Sequence, residues 1–180
     1  MDLRKRKTRR ALREAFLGMR RELPLERVSV RELCERAEVS KATFYLHYHS
    51  VYDLSAELQA GVVRQILEEL GPAGRLLESP REFTCELLEA LVSHAGEVDA
   101  LFSLGQEHAL VESVERELRA RVLEAAPEYA GDHRFNALLA YQVHGSYAAY
   151  IRFARGGDEK GREAVLGAIV DAAEAVASLW

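Results

Sequence analysis

Ser29 to Leu54 reads SVRELCERAEVSKATFYLHYHSVYDL, three short helical stretches that each open on a serine. Ser29 stands three residues ahead of Glu32, the spacing of a capping box. The hydroxyl there accepts one orphan backbone N–H, and the carboxylate reaches back for another. Val28 before the cap and Leu33 inside the helix suit a hydrophobic staple. The device recurs at Ser40, with Val39 and Phe44 as the apolar pair, and Ser50 is followed by Asp53 as a helix-start acid. Glu38 and Val39 leave only a sharp turn between the first two helices. Two short helices joined in this way predict a helix-turn-helix whose second helix, within residues 40–48, enters a DNA groove.

Charge supports that reading once it is divided along the chain. The net charge is −5, yet residues 1–50 hold 13 Lys and Arg against 7 Asp and Glu, while the remainder holds 11 against 22. A basic head can meet phosphates while an acidic body repels the duplex. Cys34 and Cys85 lie far apart with no CxxC spacing, which argues against a zinc site and a disulfide framework. The sequence predicts no cofactor, no metal site and no catalytic residues, since no nucleophile–base arrangement, phosphate loop or carboxylate pair is present. A charged N-terminus without an apolar core, and no run of about 18 apolar residues, predict a cytoplasmic protein that is not in a membrane.

Outward from the central stretch, residues 2–23 predict a helix with Leu12, Phe16, Leu17, Met19 and Leu23 for its apolar face, ended by Pro24. Its cationic opening, Arg4 to Arg10, is placed to meet phosphates. The helix begun at Ser50 is expected to run to Leu70, with Leu54, Leu58, Val62, Ile66 and Leu70 in an i, i+4 row. Ser79-Pro80-Arg81-Glu82 starts another, expected to end near Ala95 and be interrupted by Gly96. A short helix over residues 98–104, a longer one over 106–126 closed by Pro127, and two more over 132–155 and 159–179 complete the reading, with Gly156-Gly157 as a helix stop. No strand alternation is evident. The fold class is all-α: a helix-turn-helix head over residues 1–52 and a helical regulatory and dimerisation body over 53–180.

The final helix is apolar on several faces and must be covered on several faces. With small residues allowing close approach, it and the helix before it predict a four-helix interface between two copies. The candidate interface residues are Leu139, Val143, Tyr147, Ile151, Val165, Ala168, Ile169, Ala172 and Val176. Candidate ligand contacts are polar or aromatic groups on apolar helices: Phe102, Gln106, His108, Gln142, His144, Tyr147 and Tyr150. For DNA, the arm supplies Arg4, Lys5, Arg6 and Lys7, and Ser29, Ser40, Thr43 and Tyr45 offer hydroxyls to phosphates. Lys41 and Ala42 are placed for base edges, lysine suiting guanine and the alanine methyl suiting a thymine methyl. His47, Tyr48 and His49 are candidates at the far end, with Tyr48 open between backbone contact and core.

Caps, turn and aromatics together make residues 8–55 resemble the TetR/AcrR family of transcriptional regulators, and HGSYAAYIRFARGG before the last helix is similar to that family's dimerisation region. The resemblance implies a homodimer on a palindromic double-stranded operator, released by an unknown small-molecule effector. A ligand beneath the Ser50–Leu70 helix need only favour a different spacing of the two heads to lower DNA affinity. Control by a protein partner is the alternative, and an all-α enzyme a remoter one.

The family often carries lysine where this chain has Val51, and His49 is the candidate substitute for its phosphate contact. If so, DNA binding weakens as pH rises through the range in which imidazoles lose their charge. Fluorescence anisotropy across that range checks it; an unchanged pH profile in His49→Ala removes His49 from the account.

Overall fold

The computed structural model describes residues 3–72, 74–154 and 158–180, and the regular structure among them is entirely helical. The helices are α1 (Leu3–Arg20), α2 (Val30–Arg36), α3 (Lys41–Tyr45), α4 (Val51–Glu69), α5 (Arg75–Glu78), α6 (Pro80–Ser93), α7 (Ala95–Phe102), α8 (Glu107–Ala125), α9 (His133–Ala149) and α10 (Glu159–Ala177). The all-α class expected from sequence is the one observed. Two compact units form. One comprises the chain up to Val62 together with Ala95–Leu110; the other comprises Val63–His94 and Val111–Trp180. α4 and α8 therefore each run from one unit into the other.

In the first unit α1 packs on α2 and on α7, and α2 packs on α3. Leu12, Phe16 and Met19 of α1 are buried with Leu33, Phe44, Leu54 and Leu101. α1 ends at Arg20, earlier than the predicted residue 23, because Pro24 disfavours helical geometry in the residue before it. A single turn, Leu25–Arg27, then leads to α2. Glu38, in the turn between α2 and α3, has φ +55°, a left-handed conformation that glycine adopts far more readily.

α7 belongs to this unit although it lies deep in the sequence. Gly96 does not interrupt a helix; it sits in the first turn of α7, and the break falls at His94. Arg20, fully buried, donates from Nη1 to the Leu23 carbonyl at 2.6 Å and from Nη2 to the Ser103 carbonyl at 2.8 Å. Gln59 donates to the Leu101 carbonyl at 3.0 Å, and Arg13 pairs with Glu97. The open carbonyls at the end of α7 thus find donors on α1 and α4. Burial pushes the Arg20 guanidinium down from its ordinary range, against the pull of Glu26 and Glu107.

In the second unit α10 packs against α6 and α9, and α5 against α6. Arg121 donates to the carbonyls of Leu67 at 2.8 Å and Arg64 at 3.3 Å, and Arg75 to that of Leu70 at 3.1 Å, so two arginines close the C-terminal end of α4. Arg75 also grips Glu86 through two bonds of 2.7 Å and holds that carboxyl below its usual range. Asp132 caps α9 through the N–H groups of Arg134 and Phe135. The last turn of that helix, Tyr150–Ala154, widens to π-type hydrogen bonding. Asp158 caps α10 by accepting from Gly161 at 2.7 Å; a Cβ there would lie 2.9 Å from the carboxylate oxygen, so a larger residue would need the Asp158 side chain to shift. The predicted stop at Gly156-Gly157 lies outside the described residues.

Glu38→Gly should raise stability by about 1 kcal/mol, the cost of holding an L side chain in left-handed geometry. Urea unfolding checks this; no gain would mean the turn stores no such strain.

Candidate nucleic-acid interface

The helix-turn-helix is built by its caps. Ser29 Oγ accepts the Glu32 N–H at 3.2 Å and donates to the Glu32 carboxylate at 3.0 Å, so the acid closes on the hydroxyl. Ser40 Oγ accepts the Thr43 N–H at 3.1 Å and shares a hydrogen bond of 2.8 Å with the Thr43 hydroxyl. Ser50 Oγ accepts the Asp53 N–H, and the Asp53 carboxylate reaches back to the His49 N–H at 3.0 Å. The side chains of Ser29, Ser40 and Thr43 already serve the fold, and a phosphate would share them.

α3 is sharply two-sided. Phe44 and Tyr48 are buried and Thr43 and His47 half-buried, whereas Lys41, Ala42, Tyr45 and Leu46 are exposed. At about 100° per residue the exposed set occupies one continuous arc. From Val39 to Tyr52 the sequence holds no Asp or Glu, so nothing acidic in this segment opposes a polyanion. Arg4, Lys5, Arg6 and Lys7 lie exposed on the first turns of α1, and His49 is exposed beyond α3.

Tyr48 takes the core alternative. It is 6% exposed, its hydroxyl donates to Glu57 at 3.1 Å, and Arg9 donates to it at 3.4 Å while lying over its ring. Arg9 also pairs with Glu57. Burial pushes the Tyr48 hydroxyl up, and the bond to Tyr48 pushes the Arg9 guanidinium up. Arg9, one of the cationic run, is thus spent on joining α1 to α4. No local spacing signals this, because Arg9, Tyr48 and Glu57 meet only through packing. Val51, at the position where the resembled family often carries lysine, is 7% exposed and belongs to the core. Burial also pushes the Cys34 thiol up, away from the reactive thiolate.

Leu46 was missed. It is 84% exposed on the same side of α3 as Lys41, Ala42 and Tyr45, one turn beyond Ala42. Counting four residues on from Ala42 would have found it, but leucine is ordinarily assigned to a core.

The other two candidate sets fare differently. Phe102, Gln106 and His108 belong to the first unit and Gln142, His144, Tyr147 and Tyr150 to the second, so neither unit holds all seven. Phe102 is a core residue at 3% exposure, and His144 is an exposed partner of Glu115 at 2.9 Å. Gln142 bonds Ser146 on its own helix. Among the interface candidates, Leu139, Ile169 and Val176 are buried within the chain and are corrected to its own core, because α10 lays that face on α6 and α9. Ala168 and Ala172 are exposed, and Val143, Tyr147, Ile151 and Val165 half-exposed.

Residues 22–58 match the family model described as bacterial regulatory proteins, tetR family. The chain is a transcriptional regulator with a tetR-family DNA-binding head. No curated protein and no solved structure matches it. The family match covers α2, α3 and the first part of α4, the region whose exposed arc has just been described. No helix among the described residues is long and apolar enough to cross a membrane, and none of their His, Cys, Asp and Glu side chains group to hold a metal.

Tyr45 and Tyr48 should separate cleanly. Tyr48→Phe should cost about 1–2 kcal/mol of stability, since Glu57 and Arg9 lose a buried partner, with little effect on DNA affinity. Tyr45→Phe should leave stability unchanged and weaken DNA binding. Thermal unfolding and anisotropy on both variants check this; the reverse pattern would put Tyr48 at the DNA.

Proposed function

We propose that this tetR-family regulator is a cytoplasmic repressor that binds a palindromic operator as a homodimer and leaves it when a small molecule binds the helical body. The observation that carries the dimer is the surface α9 and α10 keep after closing their own core. Ala168, Ala172 and Ala175 are exposed on α10, and Ala137, Gly145 and Ala148 on α9. Tyr141 beside them is 70% exposed, Phe153 61% and Leu179 48%. Small residues let helices approach closely, and exposed aromatic side chains gain most from being covered. Two heads held by such an interface would present two copies of α3, each suited to one major groove.

Effector release rests on α7. Its end is held to the head by Arg20 and Gln59, while the chain enters it from α6 and leaves it into α8. A molecule that binds the second unit and shifts either neighbour pulls on a helix already bonded to α1 and α4. DNA affinity then changes by linkage, to the extent that the effector prefers one state.

Selection of bound DNA from a random library tests the reading. An inverted repeat with half-site centres about 34–36 Å apart is expected; a lone asymmetric site would overturn the dimer on a palindrome. Ala172→Glu, which sets a charge on the exposed face of α10, should give a single-chain mass in sedimentation at micromolar concentration and weaken operator binding. A wild-type chain that itself sediments as a monomer would overturn the dimer, and a variant that keeps a two-chain mass would place the interface elsewhere.

A further inference from the structure

We propose that Leu46 helps determine which sequence this head recognises, by packing its side chain on the 5-methyl groups of thymines. The inference rests on α3 being the helix that enters the groove. Leu46 closes α3, its N–H bonding the Ala42 carbonyl at 3.1 Å, and its side chain is left 84% exposed. Four residues apart on a helix, Ala42 and Leu46 are neighbours on one face, with Lys41 and Tyr45 completing the exposed arc. The arc is apolar at its middle and far end and cationic at its start.

An exposed apolar strip admits several occupants, and the charge of its surroundings selects one. No carboxylate occurs between Val39 and Tyr52, and the arm of α1 adds Arg4, Lys5, Arg6 and Lys7 to the same head. A polyanion is the favoured occupant. The one apolar group a DNA major groove offers is the thymine methyl. Over a G·C pair, Leu46 would instead cover hydrogen-bonding groups without replacing their water, which is unfavourable. Leu46 therefore favours T·A pairs at the step it covers and disfavours cytosine there. Lys41, at the other end of the arc, has the opposite preference for guanine. The half-site should show a guanine offset from a thymine-rich step by about one turn of α3.

The test replaces thymidine by deoxyuridine, which removes only the methyl, one position at a time in a site selected by the full chain. Wild-type protein should lose about fourfold in affinity at one or two positions, the effect of one buried methyl. Leu46→Ala should bind the thymidine site more weakly and show no further loss with deoxyuridine at one of those positions. An unchanged thermal midpoint in Leu46→Ala verifies the fold, as expected for a side chain in water. Wild-type binding that ignores deoxyuridine at every position overturns the proposal, as does a variant that keeps the full deoxyuridine loss. Failure to select any specific site overturns the DNA-binding reading of α3 itself, a result distinct from either.

Discussion

α2 has seven residues and α3 five, and helices this short do not hold their shape alone in water. Everything in the head depends on satisfying their ends. Three serines do so at the N-termini, each accepting the backbone N–H three residues on. Phe44, fully buried at the centre of α3, supplies the packing that five residues of backbone cannot. The same side-chain economy sorts the two faces of α3. Buried positions on one side of α3 fix the helix, and the opposite arc is left to Lys41, Ala42, Tyr45 and Leu46.

A second constraint joins the head to distant sequence. The turn after α7 places Leu104 at φ +55° and Gly105 at φ +92°, leaving carbonyls that need donors. Arg20 and Gln59 provide them from α1 and α4. A buried guanidinium is costly unless bonded, and the Nε of Arg20 has no partner among the described residues. The arrangement is therefore held together by a group whose satisfaction depends on α7 staying in place. Moving α7 would strip donors from carbonyls and carbonyls from a buried cation at once.

The caps were legible because they are local. Ser29–Glu32, Ser40–Thr43 and Ser50–Asp53 are each three residues apart, and the geometry of a first helical turn follows from that spacing. α4 was equally readable, its row from Leu54 to Leu70 being a long periodic signal. Asp132 and Asp158 cap α9 and α10 through equally local bonds, to N–H groups two or three residues on. Gly96 misled, since a glycine in the first turn of a helix looks like a break. Leu139, Ile169 and Val176 misled for a different reason: an apolar residue carries no mark of whether its own chain or another copy covers it.

The sequence by itself determined the starts of α2, α3, α4, α6, α9 and α10, the all-α class and the DNA-binding head, because each follows from contacts within a turn or from periodicity along one helix. Tertiary structure alone decided three further things. It drew α7 into the head, it assigned Arg9 and Tyr48 to Glu57 and to the core, and it left Leu46 in water while burying its neighbours. These depend on which surfaces meet across gaps of 39 and 83 residues, as between Arg9 and Tyr48 or Arg20 and Ser103. No spacing rule spans such gaps. Packing does, because every buried donor must find an acceptor wherever the chain has brought one.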